Sequence, residues 1–275
     1  MRHEIQLIDA LEGLKSLPDK SVDLIITDPA YEALEKHRAV GTTTRLKNWF
    51  DTVPNDFFPG FFRECHRVLK SGTDLYVMCN DDFQEIVKPA MREANFEKRL
   101  SIIWHKVGKE VDVLCPHCGG VAGQEHSAGT PGMSYPFRSS WEMIAHGRKG
   151  KRPAPENKSI RNVFSAPWLK GKSFYPTEKP PEIFLPLLEQ SSEPGQLVVD
   201  PFAGSGSVGE ACFQMGRDFL GFDISQGSLD FFENRKKHRV TPDRVTPDGV
   251  TPDGVEPTTE PANCGVVSFF GKKNA

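Results

Sequence analysis

The 275-residue chain is predicted to fold as an α/β domain, with a mixed, mostly parallel sheet and helices on both faces. Two short apolar runs, at 22–27 and 197–199, each lead into an Asp-Pro pair, at Asp28 and Asp200. A β-branched run that ends at proline is typical of the carboxyl end of a buried strand. Segments with helical spacing alternate with such runs, and this alternation predicts parallel strands.

The first part of the chain alternates regularly between strands and helices. Apolar residues at helical spacing in 57–69 are assigned to the core, and Pro18 ends the first helix because proline cannot continue one. The predicted elements are, in order, a strand at 4–9, a helix at 10–17, a strand at 22–27, a helix at 57–69, a strand at 73–79, a helix at 83–93 and a strand at 99–104, after which the chain leaves the sheet.

Residues 106–172 differ in composition, because Gly, Pro, His and basic residues dominate there. In this insertion only 140–145 has the pattern of a strand that returns to the sheet. The predicted elements after it are a helix at 180–188, a strand at 197–199, a helix at 208–215, a strand at 219–222 and a helix at 229–238. A five-residue repeat with regular prolines follows in 240–275 and predicts an extended or disordered tail.

Overall composition excludes some classes of protein. The net charge is only −3 at pH 7, so any contact with nucleic acid has to come from a local basic region. No apolar run reaches the ~18 residues of a membrane span, and the amino terminus lacks a signal-peptide pattern. We therefore expect a cytoplasmic protein that does not contact a membrane.

The cysteines do not predict a metal site. Cys115 and Cys118 form one Cys-x-x-Cys pair, whereas zinc needs four ligands and the chain has no second pair. The alternative is a structural zinc whose shell is completed by His117, His126 or a partner chain.

The tetrapeptide 28–31 is the first candidate for a functional site. Asp28 offers an acceptor carboxylate, Pro29 a backbone without an N–H, and Tyr31 a flat aromatic face, and these groups suit a planar base that carries an amino group. They follow a predicted strand, at the edge of the sheet where α/β proteins bind ligands. The alternative is an ordinary turn between a strand and a loop.

A Gly-rich turn after the strand at 197–199 is the second candidate. Gly204 and Gly206 permit a tight turn and a close approach of a ligand to the backbone. Asp223 ends the next predicted strand, 19 positions after Gly204, where an acidic side chain can bind the hydroxyls of a ribose. The pattern predicts a site for a nucleoside-containing cofactor.

Together these stretches resemble the S-adenosylmethionine-dependent amino-methyltransferases of DNA. That family has an Asp/Asn/Ser-Pro-Pro-aromatic tetrapeptide and a Phe-x-Gly-x-Gly turn, and the segment 175–180 is similar to its His-Pro-Thr-Gln-Lys-Pro segment. The tetrapeptide precedes the turn, as in the circularly permuted β class. The chain departs from the family pattern at Ala30, Tyr175 and Glu178.

The resemblance implies a Rossmann-like methyltransferase fold, S-adenosylmethionine as cofactor, and specific residue roles. It divides the chain into a catalytic half at 1–105, a target-recognition insertion at 106–172, a cofactor-binding half at 173–239 and the tail at 240–275. The implied catalytic residues are Asp28, Pro29 and Tyr31. The implied cofactor residues are Asp9, Thr177, Lys179, Asp200, Phe202, Gly204, Ser205, Gly206 and Asp223, although a helix N-cap is an alternative role for Asp9.

Double-stranded DNA is the expected partner, and two basic regions are predicted to contact it. One is the segment 32–48 after the tetrapeptide, and the other is 148–172, which carries eight Lys and Arg residues against one Glu. The candidate phosphate contacts are Arg38, Arg45, Lys47, Arg148, Lys149, Lys151, Arg152, Lys158 and Arg161. The sequence leaves open whether a homodimer forms and whether a companion restriction nuclease exists.

The expected reaction is methylation of an exocyclic amine on a base that is flipped out of the duplex. In the family, Asp at the position of Asp28 usually accompanies adenine N6, which we prefer over cytosine N4. The remaining alternatives are a methyltransferase that acts on RNA or on a protein Gln, and a catalytically inactive DNA-binding relative, for which Ala30 is the only indication.

Overall fold

The structure is a computed structural model that describes residues 2–32, 52–108, 110–114, 121–126, 139–151, 157–167 and 178–237, and of 110–114 and 121–126 only the backbone. Its strands are β1 His3–Leu7, β2 Val22–Thr27, β3 Leu69–Cys79, β4 Glu97–Lys98, β5 Ile102–Val107, β6 Glu110–Leu114, β7 Val121–His126, β8 Trp141–Lys149, β9 Val163–Pro167, β10 Leu197–Asp200 and β11 Asp218–Asp223. Its helices are α1 Ala10–Ser16, α2 Phe57–Val68, α3 Asp81–Glu93, α4 Leu185–Ser191, α5 Ser207–Gln214 and α6 Gln226–Lys237, with a 3-10 turn at Pro181–Ile183.

Nine strands form one sheet in the order β1-β11-β10-β2-β3-β8-β5-β9, and β4 pairs with β8. The strands from β1 to β3 in this order are parallel to their neighbours, whereas β8 is antiparallel to both β3 and β5. The predicted mixed, mostly parallel sheet is confirmed. Strands β10 and β11, from the end of the chain, lie between β1 and β2, so the two predicted motifs reach the same part of the sheet edge.

The sheet has a hydrophobic core on each face. One core includes residues of α1, α2 and α3, and the other includes residues of the 3-10 turn, α4, α5 and α6. The periodicity that assigned 57–69 to the core is confirmed, since α2 buries Phe58, Phe61, Phe62, Cys65 and Val68. Each fully buried phenylalanine contributes about 1.5–3 kcal/mol to stability, so α2 is firmly packed in this core.

The insertion contributes more to the sheet than its sequence predicts. Besides β8, which corresponds to the predicted returning strand, β9 forms the sheet edge beside β5. The predicted strand at 99–104 is β5, and its position between β8 and β9 corrects the expectation that the chain simply leaves the sheet there. Strands β6 and β7 form a separate antiparallel pair. The cysteine pair 115–118 and the tail after 237 lie outside the described residues.

Candidate active site

The predicted catalytic tetrapeptide and the predicted cofactor turn lie side by side at the carboxyl edge of the sheet. Asp28 directly follows β2 and Asp200 ends β10, and these strands are adjacent and parallel, with Val199 paired to Ile25. The sequence separates the two motifs by more than 160 residues, and the permuted strand order brings them together. In open α/β sheets this edge is where ligands bind.

The Asp28 carboxylate is partly exposed, and its Oδ2 accepts a hydrogen bond from Lys179 Nζ at 2.5 Å. Tyr31 is only 6% exposed, and its ring stacks on Phe83 with the centroids 4.0 Å apart and the planes 10° apart. One face of the tyrosine is therefore covered, and a base would have to stack on the other. Burial, together with the nearby charge of Asp28, raises the pKa of Tyr31, so its phenol stays neutral.

The two ends of the segment 33–51, which lies outside the described residues, are joined beside the tetrapeptide. Val53 N donates to Ala30 O at 2.8 Å, and Asn55 Nδ2 donates to Glu32 Oε2 at 2.9 Å. Candidate contacts Arg38, Arg45 and Lys47 belong to this segment. The described residues on either side of this segment therefore lie together, next to the tetrapeptide.

Lys179 and Glu142 bring two further charges next to Asp28, and the sequence did not predict either of them there. Lys179 Nζ, in contact with Asp28, also lies 3.7 Å from Glu142 Oε2, and Glu142 Oε1 lies 2.6 Å from Lys106 Nζ. Burial alone would lower the pKa of Lys179, but the carboxylates of Asp28 and Glu142 raise it, so the ammonium stays protonated. The resemblance assigned Lys179 to the cofactor, whereas in the structure its ammonium binds the carboxylate of Asp28.

The cofactor turn is tied to the end of β11 by backbone and side-chain bonds. Gly204 N donates to Asp223 Oδ2 at 2.9 Å, and Ala203 N donates to Phe222 O at 2.9 Å. Gly206 has φ of +75°, and a Cβ there would lie 2.2 Å from the Phe232 ring. Only glycine fits both the backbone conformation and this space, so the turn is held tightly against α6.

Asp223 is predicted to bind the ribose of the cofactor. Its Oδ1 accepts from Ser225 N at 2.8 Å and its Oδ2 from Gly204 N, so two backbone N–H groups fix the carboxylate at the strand end. We expect Asp223→Ala to weaken S-adenosylmethionine binding by roughly tenfold to a hundredfold, because each lost hydrogen bond to a charged group costs about 1.5–3 kcal/mol. Titration calorimetry measures the change, with the exposed Glu97→Gln as a control. An unchanged affinity would contradict the ribose assignment.

Asp200, also assigned to the cofactor, lies beneath the turn. It is 3% exposed, and its Oδ1 accepts from Phe202 N at 3.0 Å. Burial, and then the charges of Asp28 and Asp223, raise the pKa of Asp200 to about 8. Its described contact supports the turn, while Phe202 packs against Phe57 and Phe61.

The remaining predicted cofactor residues are Asp9, Ser205 and Thr177, and the structure describes the first two of them. Asp9 is the N-cap of α1, since its side chain accepts from Leu11 N and Glu12 N, and this was the alternative role for it. Ser205 is buried in the turn and its hydroxyl lies 2.9 Å from Ser207 Oγ. Thr177 lies outside the described residues.

Two residues of the predicted DNA-contact set have structural partners. Arg148 donates to both carboxylate oxygens of Asp74, from Nε at 2.7 Å and from Nη2 at 3.0 Å. Lys149 Nζ donates to the carbonyl oxygens of His66 and Leu69, at 2.5 and 2.6 Å. Both side chains therefore have partners inside the protein, which argues against phosphate contact, and their place in the DNA-contact set stays a prediction.

The other described residues of the predicted DNA-contact set lie at the opposite edge of the sheet. Lys151, Lys158 and Arg161 are exposed, but they follow β8 or precede β9 at the amino ends of the parallel strands. The part of β8 from Met143 to Lys149 runs from one edge of the sheet to the other. At the usual rise of a strand the two edges are therefore about 20 Å apart. The fold therefore does not bring them to the tetrapeptide, and Arg152 lies outside the described residues.

The part of the chain that the structure describes contains no helix long and apolar enough to cross a membrane. The described side chains also contain no group of three or more His, Cys, Asp or Glu residues placed to hold a metal ion. The Cys115 and Cys118 side chains lie outside that part of the structure.

Comparison with known proteins identifies the family. Residues 22–234 match the family described as DNA methylase, the N6/N4 methyltransferases. The DNA adenine methyltransferase YhdJ of Escherichia coli K12 is 27% identical over 232 residues, which is 79% of this chain and 76% of YhdJ. The type II methyltransferase M.HinfI of Haemophilus influenzae is 26% identical over 248 residues, 82% of this chain and 66% of M.HinfI.

Two solved structures share the fold. The TTHA0409 protein of Thermus thermophilus, in complex with S-adenosyl-L-methionine, has a TM-score of 0.58 and 22% identity, and the match covers 85% of this chain and 92% of that one. The PvuII cytosine-N4-specific DNA methyltransferase has a TM-score of 0.62 and 16% identity, with 86% of each chain covered. These likenesses confirm the predicted methyltransferase fold. Because the family match spans most of the sequence and both motifs, the chain belongs to the DNA methylase family of S-adenosylmethionine-dependent N6/N4 amino-methyltransferases.

Proposed function

We propose that this chain methylates the exocyclic N6 of adenine at specific sites in double-stranded DNA, on a base flipped out of the helix. The observation that carries the proposal is the position of the Asp28 carboxylate, which is partly exposed and adjoins the cofactor turn on the neighbouring strand. A base stacked inside a duplex cannot reach this edge, so it has to leave the stack at a cost of a few kcal/mol.

The residues of the cofactor turn suit S-adenosylmethionine. Gly206 lets the turn adopt a φ of +75° and pack closely against Phe232 of α6, and Asp223 presents a fixed carboxylate at the end of β11, where a ribose is expected. Phe202 and the backbone of the turn would complete the contact. When bound, the cofactor supplies a sulfonium methyl group to an attacking nucleophile.

Asp28, Pro29 and Tyr31 would prepare the amine to attack. The lone pair of an exocyclic amine is delocalised into the base, so the amine is a poor nucleophile. Asp28 and the carbonyl of Pro29 would accept hydrogen bonds from its two N–H groups and favour a pyramidal nitrogen, and the face of Tyr31 opposite Phe83 would hold the base. The amine would then be placed to take the methyl group by direct displacement, without a covalent intermediate on the enzyme, and Asp28 would be placed to accept the proton that the nitrogen gives up.

Adenine is preferred over cytosine on two grounds. Asp stands at the first position of the tetrapeptide, and the adenine methyltransferase YhdJ is 27% identical to this chain. The PvuII enzyme acts on cytosine N4, but at 16% identity it supports the fold alone. Both bases present an amine to the same acceptors, so the choice has to come from the shape of the pocket beyond it.

Nucleoside analysis tests the proposed substrate. Purified protein is incubated with S-adenosylmethionine and plasmid DNA from a host without DNA methyltransferases, and the DNA is then hydrolysed to nucleosides for mass spectrometry. We expect N6-methyldeoxyadenosine from the wild-type chain and no product from Asp28→Ala. N4-methyldeoxycytidine as the main product would contradict the adenine assignment. No methylation of DNA, with transfer to RNA or a protein Gln instead, would contradict the DNA substrate.

A further inference from the structure

Four charged side chains of alternating sign lead away from the tetrapeptide. They are joined by Asp28 Oδ2 to Lys179 Nζ at 2.5 Å, Lys179 Nζ to Glu142 Oε2 at 3.7 Å, and Glu142 Oε1 to Lys106 Nζ at 2.6 Å. The side chains of Lys179 and Lys106 are each 16% exposed, and those of Glu142 and Asp28 are 28% and 34% exposed. A partly buried charge is stabilised by a close partner of opposite charge. Each side chain in this row therefore restricts the position of its neighbour.

The far end of the row is anchored in the sheet. Glu142 of β8 is paired with Trp104 of β5, and Lys106 stands two residues further along β5, so the two side chains are diagonal neighbours on one face. Lys106 Nζ also lies 5.3 Å from the centroid of the Trp104 ring. Trp104 is fully buried and donates from Nε1 to Ala166 O of β9 at 3.1 Å. Glu142 therefore sits on a rigid support.

We propose that Glu142, fixed by Lys106, is a positioning residue for methyl transfer, because it holds the Lys179 ammonium against Oδ2 of Asp28 and leaves Oδ1 to accept the target amine. The inference rests on the proposed function, since the amine is the group that Oδ1 receives. The Asp28 side chain is 34% exposed, and its described side-chain hydrogen bond is the one from Lys179. An ammonium bound to one oxygen and held from behind by a second carboxylate fixes the orientation of that carboxylate.

The charge of Glu142 is what the proposal requires. In Glu142→Gln the shape of the side chain is kept, but Lys179 loses the second carboxylate that fixes its ammonium on Oδ2 of Asp28. The ammonium is then free to bridge both oxygens of Asp28 and to compete with the target amine for Oδ1. Glu142 is on β8, separated from β10 by β3 and β2, so its removal should leave the cofactor turn unchanged.

Single-turnover methylation of DNA tests the proposal. We expect Glu142→Gln to lower the rate constant on the order of tenfold to a hundredfold, while the affinity for S-adenosylmethionine and the KM for DNA change less than about twofold. Lys106→Met should have a smaller effect in the same direction, and the double variant should lose less than the product of the two single losses. The matched control is Glu97→Gln, a change to an exposed glutamate on β4, which also pairs with β8. A rate constant of Glu142→Gln equal to that of Glu97→Gln would overturn the proposal.

A second measurement does not depend on activity and separates this proposal from the proposed function. A lysine ammonium held between two carboxylates exchanges its protons slowly, so Lys179 should give a side-chain ¹H–¹⁵N signal that is missing from Lys179→Met. We expect the signal to disappear in Glu142→Gln and to remain in Glu97→Gln. If it remains in Glu142→Gln, the positioning role is contradicted, even when DNA methylation is observed. If the Lys179 signal disappears in Glu142→Gln while the wild-type chain methylates no DNA, the role of Glu142 in positioning Lys179 is supported and the proposed function is contradicted.

Discussion

Replacing Asp28 by alanine is expected to lower the rate constant for methyl transfer by about 10³-fold or more, with S-adenosylmethionine affinity within about twofold of wild type. The carboxylate adjoins the cofactor turn but makes its described hydrogen bond with Lys179, not with the turn. Its proposed task is to accept an N–H of the target amine, an interaction that strengthens as the nitrogen becomes pyramidal. Removing it therefore costs transition-state stabilisation and leaves cofactor binding in place.

Single-turnover kinetics and calorimetry, run on the same preparations, measure the two effects. Asp28→Ala also removes a partner of the buried Lys179 ammonium, so thermal unfolding has to be measured in parallel. Asp28→Asn keeps the size of the side chain and still offers one acceptor oxygen, and we expect it to retain more activity than alanine. Loss of cofactor binding in Asp28→Asn, with an unchanged melting temperature, would show that Asp28 belongs to the cofactor site.

The site could be predicted where its signals are local in sequence. The strand that ends at Asp28, the glycine turn and the acidic residue at the end of β11 each follow from a few adjacent residues whose backbone requirements are specific. Their meeting at one edge follows from the order of parallel strands, which the family resemblance supplied.

The charge partners could not be predicted, because they depend on contacts between distant strands. Glu142 lies within a run that predicts a strand, and nothing in that run indicates that the side chain meets Lys106 and Lys179. Arg148 shows the reverse case. Counting charges along 148–172 assigned it to DNA, whereas Asp74, 74 positions earlier on the adjacent strand, binds its guanidinium.

Asp74 is the centre of a buried polar cluster between β3, β8 and α4. Its side chain is fully buried, and it accepts hydrogen bonds from His146 Nε2 at 2.8 Å, Ser191 Oγ at 2.9 Å and the Arg148 guanidinium. Burial alone would raise the pKa of Asp74, but the hydrogen bonds and charges of His146 and Arg148 hold it well below its usual range. The ionised form is therefore the one that the fold stabilises.

Asp74→Asn is expected to destabilise the protein by about 3–5 kcal/mol at pH 7, because it leaves the Arg148 guanidinium buried without a counter-charge. For a chain of this size the melting temperature should fall by roughly 10 °C. Arg148→Met in the same chain should restore part of the loss, whereas Glu233→Gln, which breaks an exposed pair with Lys236, should cost less than about 1 kcal/mol.

The pH dependence of this loss follows from the lowered pKa of Asp74. The folded state holds Asp74 ionised at pH values where the unfolded chain is protonated, so its contribution is complete above the unfolded pKa of about 3.9 and is lost as pH falls towards the folded value. Urea unfolding of the wild-type chain and of Asp74→Asn, from pH 7 to pH 3, measures this contribution to the unfolding free energy. Groups that titrate alike in both proteins, such as Asp200, cancel when the two unfolding free energies are subtracted. We expect the difference in unfolding free energy between the wild-type chain and Asp74→Asn to become smaller as the pH falls below about 4. A difference that widens on acidification would mean that the fold prefers Asp74 in its protonated form.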